Sequence, residues 1–351
     1  MKKTLEDVAK LSGVSRSTVS RVINDDPRVS ETTRERVRGV VRQLSFHPNA
    51  AARGLASGRT RVLGVLLPQG VVALFSDPYF PILIQGMATA SSASDYAMML
   101  WLAQPASERG TIHQMLRGGL IDGLIVSSVL FDDPIVPALV AAGTPFLVVG
   151  RHPAYPEINY VDCDNQQGAD EAVSHLLRLG RRRVATVTGP LNTIAGQDRR
   201  AGYLAACHRR GLVPEPAWLA EGDYTEAGGY LATQRLLPLN PDGIFAASDV
   251  MAVGALRALR DAGRRVPEDV AVVGFDDLPF SARTEPPLTT IRQSIHGLGQ
   301  LAANTLIAMI EESTTPPRRI TLPTELVIRM SCGSTQPAHR AVKKEVMRIS
   351  P

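Results

Sequence analysis

The chain has 351 residues, of which 44% are hydrophobic and 21% charged, and its mean hydropathy is close to zero. This length predicts two or three domains, and the composition excludes wholesale disorder or a fibrous repeat. No apolar run reaches the ~18–20 residues of a membrane span and no secretory apolar region follows Met1, so we expect a cytoplasmic protein without a membrane segment.

Positive charge is concentrated at the amino-terminal end. Residues 1–61 contain 13 Lys or Arg and 6 Asp or Glu, whereas the remaining 290 contain 25 and 28. The net charge of +4 therefore comes entirely from the first segment. Such a basic segment is typical of a module that contacts nucleic acid, although a solvated basic surface would have the same composition.

The first sixty residues have the pattern of a helix-turn-helix. Apolar residues within 5–11 fall on one side of a short helix, and Gly13 supplies the positive φ of a tight turn. Ser15 is placed to cap a second helix that runs to about Asn24, and Ser30 is placed to cap a third. Three packed helices with no groove to fill are the alternative interpretation.

The second helix of such a motif inserts its amino-terminal end into the major groove of DNA. Val19 and Val22 point inward in this pattern, which leaves basic and hydroxyl side chains outside. Arginine can fork onto guanine, and hydroxyls reach base edges or phosphates. The predicted DNA contacts are Thr4, Ser15, Arg16, Ser17, Thr18, Arg21 and Asn24.

The segment 47–60 is a weak helix or a plain linker. It is rich in alanine between Pro48 and Gly58, and Gly54 in its middle costs a helix about 1 kcal/mol. An isolated helix of this length is marginal in water, so its order requires a partner, either duplex DNA or a second copy of the chain.

From residue 61 onward, buried strands alternate with helix-length segments. Strands are predicted at 62–67, 97–102, 123–126 and 146–149, and then at 183–187, 243–247 and 269–275. Helices are predicted at 197–210, 250–262 and 294–311, with chain crossings near 288–291 and 322–329. This pattern predicts an α/β core of two lobes, each a doubly wound parallel sheet, with a ligand cleft at the strand ends between them.

Side chains beside the predicted strand ends suit a polyol. Adjacent hydroxyls favour carboxylate and guanidinium partners together with an aromatic face. The candidates are Tyr79, Phe80, Asp164, Arg199, Tyr224 and Asp276. Ser248 and Asp249 are weaker candidates because an aspartate there could cap the adjoining helix. Arg151 also follows a strand, and the neighbouring His152 could equally be an exposed loop residue.

Two groups of motifs resemble the LacI/GalR family of bacterial transcription regulators. The first group is Thr4-Leu5-Glu6-Asp7-Val8-Ala9, Val19-Ser20-Arg21-Val22-Ile23-Asn24, Pro48-Asn49 and Leu55. The second group is 180–183, 198–203, 248–256, 266–270, 274–277 and 287–290, so that the resemblance extends through about Ser331. It implies a three-helix headpiece on a bilobed core like that of periplasmic binding proteins.

The resemblance also implies roles for individual residues. Arg16, Ser17 and Arg21 occupy base-reading positions, and residues 49–57 correspond to a hinge helix that folds in the minor groove. Leu55 corresponds to the leucine that wedges into the central base step. Arg199 and Asp276 correspond to effector contacts, and the Asp77–Phe80 loop corresponds to one that lines the pocket. Gly54 lies where many relatives have a better helix former.

The predicted organisation follows from both lines of reasoning. It consists of a helix-turn-helix domain at 1–46, a hinge and linker at 47–60, a first lobe at 61–162 and 292–323, a second lobe at 163–291 and 324–333, and a tail at 334–351. Because the tail has no leucine heptads, we expect a homodimer rather than a tetramer.

The expected function is a sequence-specific repressor whose operator affinity is controlled by a small carbohydrate, a glucoside or oligosaccharide that acts as inducer. A purine or another non-sugar corepressor on the same scaffold is one alternative, and a sugar-binding transport component is another. A sugar kinase with an added DNA-binding module is disfavoured, because the sequence has no phosphate loop, no Gly-x-Ser-x-Gly elbow and no metal-binding histidine cluster. The three cysteines, Cys163, Cys207 and Cys332, are odd in number and far apart, so we expect free thiols, no metal and no cofactor.

Overall fold

The computed structural model describes residues 3–23, 25–46, 59–67, 71–102, 119–127, 129–312 and 318–334. The chain divides into two compact units, Met1–Arg61 and Val62–Pro351. None of the helices in the described ranges combines the length and the apolar character that crossing a membrane requires.

The first unit contains the predicted three helices, α1 (Leu5–Ser12), α2 (Arg16–Ile23) and α3 (Glu31–Gln43). They pack around a small apolar core whose fully buried members include Val8, Val19 and Val37. Gly13 ends α1 in the left-handed conformation, with φ of 64°, so that α2 can begin three residues later. The predicted helix-turn-helix is therefore confirmed.

Two caps in this unit differ from each other. At the start of α1, the Thr4 hydroxyl accepts the amide proton of Asp7 at 3.3 Å, and the Asp7 carboxylate accepts that of Thr4 at 2.8 Å. At the start of α3, the Ser30 hydroxyl caps no amide and instead donates to the Thr33 hydroxyl at 3.0 Å. Ser30 therefore has the predicted N-cap position, but its hydroxyl makes no capping hydrogen bond because the neighbouring Thr33 hydroxyl competes for it.

The second unit contains two six-stranded sheets with helices on both faces. The first sheet consists of β1 (Val62–Leu67), β2 (Ala97–Leu102), β3 (Gly123–Ser127), β4 (Phe146–Val149), β5 (Tyr160–Cys163) and β11 (Arg319–Leu322). The second sheet consists of β6 (Val184–Thr188), β7 (Leu219–Glu221), β8 (Gly243–Ala246), β9 (Ala271–Asp276), β10 (Thr289–Arg292) and β12 (Glu325–Val327). The helices are α4 (Val71–Ser76), α5 (Tyr79–Ala93), α6 (Ile135–Ala142), α7 (Asn165–Arg178), α8 (Ile194–Arg209), α9 (Glu226–Leu236), α10 (Asp249–Asp261) and α11 (Ile295–Glu311).

The strand orders show that each sheet is doubly wound. The order is β11-β5-β4-β3-β1-β2 in the first lobe and β12-β10-β9-β8-β6-β7 in the second. All pairs are parallel except β10 with β12, which is an antiparallel edge pair. The predicted bilobed α/β core is confirmed, with this one antiparallel strand as a departure from the predicted parallel pattern.

The chain passes between the lobes after β5, after β10 and after β11. The predicted crossing at 288–291 is in fact strand β10, and the crossing follows Arg292. Helix α11 then returns to the first lobe and packs against α5. Five strands were not predicted as strands, because each is only three or four residues long and contains charged or polar residues: β5, β7, β10, β11 and β12.

Candidate functional site

A cavity of about 550 Å³ lies between the two lobes and is lined by residues of both. This volume is within the range of about 300–1,000 Å³ that is usual for small-molecule sites. Eight of the ten predicted ligand contacts line it: Asp77, Tyr79, Phe80, Arg151, Arg199, Tyr224, Ser248 and Asp276. In the described ranges, no cluster of histidine, cysteine and acidic side chains has the arrangement of a metal site.

The other two predicted contacts, Asp164 and Asp249, do not line the cavity. Asp164 is exposed, and its carboxylate accepts the amide proton of Gln167 at 3.1 Å as the cap of α7. Asp249 is fully buried and accepts hydrogen bonds from the Ser281 hydroxyl at 2.6 Å and the Leu278 amide at 2.8 Å. Both carboxylates therefore accept hydrogen bonds from neighbouring parts of the chain and do not face the cavity. Their prediction as ligand contacts is corrected.

Arg199 is the centre of the polar part of the cavity. Its side chain is buried on α8, and its guanidinium carbon lies 3.7 Å from the ring centroid of Phe275. Its Nε donates to Asn165 Oδ1 at 2.8 Å, while Nη1 donates to the Ala247 carbonyl at 2.5 Å and lies 3.5 Å from Asp276 Oδ1. The guanidinium is thus fixed in one orientation before any ligand arrives.

Asp276 ends β9 with a φ of 118°, a conformation that few residues other than glycine adopt. Its carboxylate accepts a hydrogen bond from Gln293 Nε2 at 2.6 Å. Burial raises the pKa of Asp276, Arg199 opposes the shift, and the carboxyl groups of Asp249 and Asp77 add to it. A carboxylate in this position is stabilised by any ligand hydroxyl that donates to it.

Aromatic rings cover the cavity from both lobes. Tyr79 and Phe80, at the start of α5, meet edge to face with their centroids 5.4 Å apart. Tyr224 lies on the second lobe directly over Gly189, where an added Cβ would come within 2.3 Å of the tyrosine ring. Glycine is therefore required at 189 for the ring to take this place.

Arg151 lies at the rim of the cavity and follows β4. Its Nε donates to Asp162 Oδ2 at 2.9 Å, and its Nη2 bonds Asp198 on α8. The next residue, His152, is buried between Phe131 and Tyr155 rather than exposed on a loop. Phe131 is distant from His152 in the sequence, so the local pattern gave no sign of this contact.

The surface of α2 carries most of the predicted DNA contacts. Arg16, Ser17 and Arg21 are exposed, as is Ser15, whose hydroxyl accepts the Thr18 amide proton at 3.2 Å. Thr4 is exposed but is also the cap of α1. Asn24 and Leu55, the remaining two, lie outside the described residues.

Arginines of the first unit fall into two groups. Arg28 pairs with Asp26, and both Arg34 and Arg38 pair with Asp25. In the described part of this unit, no ion pair includes Arg16 or Arg21. The two outward guanidinium groups of α2 are therefore available for an external anion or a base edge.

Comparison with known proteins identifies the family. Residues 4–49 match the lacI family of bacterial regulatory proteins, and residues 173–332 match a periplasmic binding protein-like domain. The chain is also 39% identical over 332 residues to the HTH-type transcriptional regulator CelR of Thermobifida fusca, an alignment that covers 93% of this chain and 98% of CelR. The chain belongs to the LacI family.

Other LacI-family proteins are similar to this chain in sequence and in structure. The HTH-type transcriptional repressor PurR of Haemophilus influenzae is 33% identical over 337 residues, or 94% of this chain and 99% of PurR. The structure of a complex of CelR with cellobiose superposes with a TM-score of 0.76 at 37% identity and covers 94% of this chain and 99% of CelR. The lac repressor dimer bound to operator and the anti-inducer ONPF gives a TM-score of 0.83 at 29% identity and covers 95% and 99%.

Several cavity residues of this LacI-family chain were missed by the sequence analysis. They are Ser127, Asp162, Asn165, Asp223 and Gln293. Asp162 and Asn165 flank the end of β5, which was not predicted, and Gln293 lies in the crossing that was placed too early. The run Asp162-Cys163-Asp164-Asn165 was the available signal, because three polar residues flank a single cysteine there.

Proposed function

We propose that this LacI-family chain is a sequence-specific transcriptional repressor that loses affinity for its operator when a small uncharged carbohydrate binds between the lobes. The observation that carries the proposal is the fixed polar cluster of Arg199, Asn165, Asp276 and Gln293, which lies among aromatic walls. A sugar hydroxyl both donates and accepts, so one face of a sugar ring can satisfy the carboxylate and the guanidinium together.

The charge of the cavity wall supports an uncharged ligand. The cavity is lined by the carboxylates of Asp77, Asp162 and Asp223 and by the carboxyl group of Asp276, whose pKa is raised by burial, compared with the two guanidinium groups of Arg151 and Arg199. An anionic ligand such as a sugar phosphate would have to overcome this excess of negative charge. A neutral sugar instead gains hydrogen bonds from it.

The relatives offer two ligand classes. The CelR structure contains cellobiose, which makes a β-linked glucose disaccharide the first candidate for this chain. PurR is a second relative, so a purine is the alternative. A purine would gain from stacking between two parallel rings, whereas Tyr79 and Phe80 present mutually perpendicular rings, with an interplanar angle of 87°.

The DNA half of the proposal assigns base reading to α2. A homodimer would place two copies of α2 in successive major grooves of a near-palindromic operator. The segment 47–60 would connect them to the lobes, with Leu55 as the wedge at the central base step. Ligand binding would then lower the fraction of chains whose connector is ordered. A change of about 1–3 kcal/mol in this equilibrium is sufficient to change the fraction of operator that is bound.

The experiment is a calorimetric titration of the full chain with cellobiose, and with hypoxanthine as the purine probe. We expect cellobiose to bind, and we expect Arg199→Lys to weaken binding while thermal unfolding stays cooperative. Arg209→Gln, on the same helix but paired with Asp170 away from the cavity, is the matched control and should bind like the unaltered chain. Binding of hypoxanthine in place of cellobiose would overturn the carbohydrate proposal.

A further inference from the structure

Arg151 bonds carboxylates of both lobes. On its own lobe it donates through Nε to Asp162 at 2.9 Å, and across the cleft it donates through Nη2 to Asp198. The side chains of Asp162 and Asp198 are 6% and 15% exposed, whereas that of Arg151 is 37% exposed. In this bridge of Asp162, Arg151 and Asp198, the two carboxylates are therefore largely shielded from water, whereas the guanidinium is open to the cavity.

The same bridge is connected to the centre of the ligand site. Asp162 Oδ1 accepts a hydrogen bond from Asn165 Nδ2 at 3.1 Å, and Asn165 Oδ1 accepts one from Arg199 Nε at 2.8 Å. Arg199 follows Asp198 directly on α8. The hydrogen bonds therefore connect two adjacent residues of α8, Asp198 and Arg199, through side chains of both lobes. The order of the connection is Asp198, Arg151, Asp162, Asn165 and Arg199.

Removing the guanidinium would leave two carboxylates facing each other across the cleft. Burial raises the pKa of Asp162 and of Asp198, and in both cases Arg151 opposes the rise. Without Arg151, repulsion between these like charges would favour separation of the lobes. With Arg151 present, the same carboxylates favour the closed form.

We propose that Arg151 and Asp198 form the contact through which ligand occupancy closes the lobes, so that Arg151 is a positioning residue as well as a part of the cavity wall. This inference rests on the proposed carbohydrate function. In the described part of the chain, Nη1 of Arg151 has no hydrogen-bond partner, and an oxygen of the ligand can occupy it. A ligand held there adds a third bond to a side chain that already joins both lobes.

A backbone hydrogen bond provides a reporter of closure that needs no ligand. The amide of Phe131 in the first lobe donates to the carbonyl of Asn192 in the second lobe at 2.9 Å. Opening of the cleft exposes this amide to solvent, so its hydrogen exchange measures the open population directly.

The experiment compares Arg151→Gln, Asp198→Asn and the double variant in the full chain. Arg209→Gln is the control, because it also removes an ion pair of α8 but pairs within the second lobe. We expect each single variant to speed Phe131 exchange and to weaken cellobiose binding by roughly 5- to 150-fold. The double variant should be no weaker than Arg151→Gln, since both changes break one contact.

Arg151→Lys keeps the positive charge between the carboxylates but cannot donate to both of them with a planar guanidinium. Its Phe131 exchange rate and its cellobiose affinity should therefore lie between those of Arg151→Gln and the unaltered chain. Additive losses in the double variant, or Phe131 exchange that is unchanged in Arg151→Gln, would overturn the inference. If the unaltered chain binds no cellobiose, the proposed ligand is wrong, and the exchange measurement alone decides whether the ion pair holds the lobes closed.

Discussion

Asp276 lines the ligand cavity, and Leu278, two residues further along the chain, is buried in the apolar core of the other lobe. Leu278 is 1% exposed and packs within the first-lobe cluster although it belongs to the second lobe. Asp249 holds this turn by accepting the Leu278 amide proton at 2.8 Å. A ligand contact and an apolar contact between the lobes are thus connected through one short turn.

Leu278→Ala should destabilise the core and weaken ligand binding together. Removing a fully buried leucine side chain usually costs about 2–5 kcal/mol of unfolding free energy. Leu231→Ala, at a leucine of α9 that is 58% exposed, is the matched control and should stay within about 0.5 kcal/mol. Urea unfolding of the two variants checks this, and an equal loss in both would show that the Leu278 contact is unimportant.

Asp276 should contribute a decrease in the unfolding free energy of the ligand-free chain as pH rises from about 5 to 8. Burial raises the pKa of Asp276 to about 8 from its ordinary value of 3.8, against the opposing effect of Arg199. Between these values the folded chain keeps a proton that the unfolded chain releases, so a rise in pH favours unfolding. Asp276→Asn should flatten this slope in urea unfolding measured across the range. A slope that is identical in the variant would contradict the assignment.

Arg16→Ala and Arg21→Ala should each weaken operator binding by about 1–3 kcal/mol and relax preference at particular base pairs. Both side chains are exposed on α2, and neither is in an ion pair within the described residues. Arg28→Ala is the control of equal charge, since Arg28 is exposed but paired with Asp26 beyond α2. Fluorescence anisotropy with operator and with scrambled duplexes measures the loss of affinity and the loss of sequence preference. Equal losses on the two duplexes would exclude base reading by α2.

Leu55→Ala should weaken binding to operator more than binding to nonspecific DNA. An apolar wedge unstacks a base step at a cost of a few kcal/mol and gains contact only where the step is deformable. The comparison is made in the full chain, at one fixed salt concentration, because phosphate contacts vary strongly with salt. Unchanged operator affinity in this variant would show that Leu55 does not insert into the central base step.

The long elements were predictable from sequence because their hydrophobic pattern is strong. Strand β1 was placed at the correct residues, and α10 was placed within one residue at each end, since a run of apolar residues or a periodic face specifies them. Strands β5, β7, β10, β11 and β12 were missed, because each has three or four residues interrupted by polar or charged side chains. The equally short β4 and β8 were found because their sequences are apolar throughout.

The ligand site was predicted less completely than the fold. Asp249 follows a predicted strand and Asp164 follows β5, as several cavity residues follow strands, but their carboxylates accept hydrogen bonds from nearby backbone amides. Conversely, Gln293 has no sequence pattern of its own and joins the site only because the chain crosses between the lobes there. Side-chain direction at a crossing depends on how the two lobes meet, and no local pattern contains that information.

The most direct measurement of the central claim is fluorescence anisotropy of the full chain bound to a labelled duplex from its own upstream region, titrated with cellobiose. The account predicts that the duplex is released as the sugar saturates the cavity, and that Arg199→Lys holds the duplex but no longer releases it at the same sugar concentration. Release that proceeds equally in Arg199→Lys, or a complex that no concentration of sugar dissociates, would contradict it.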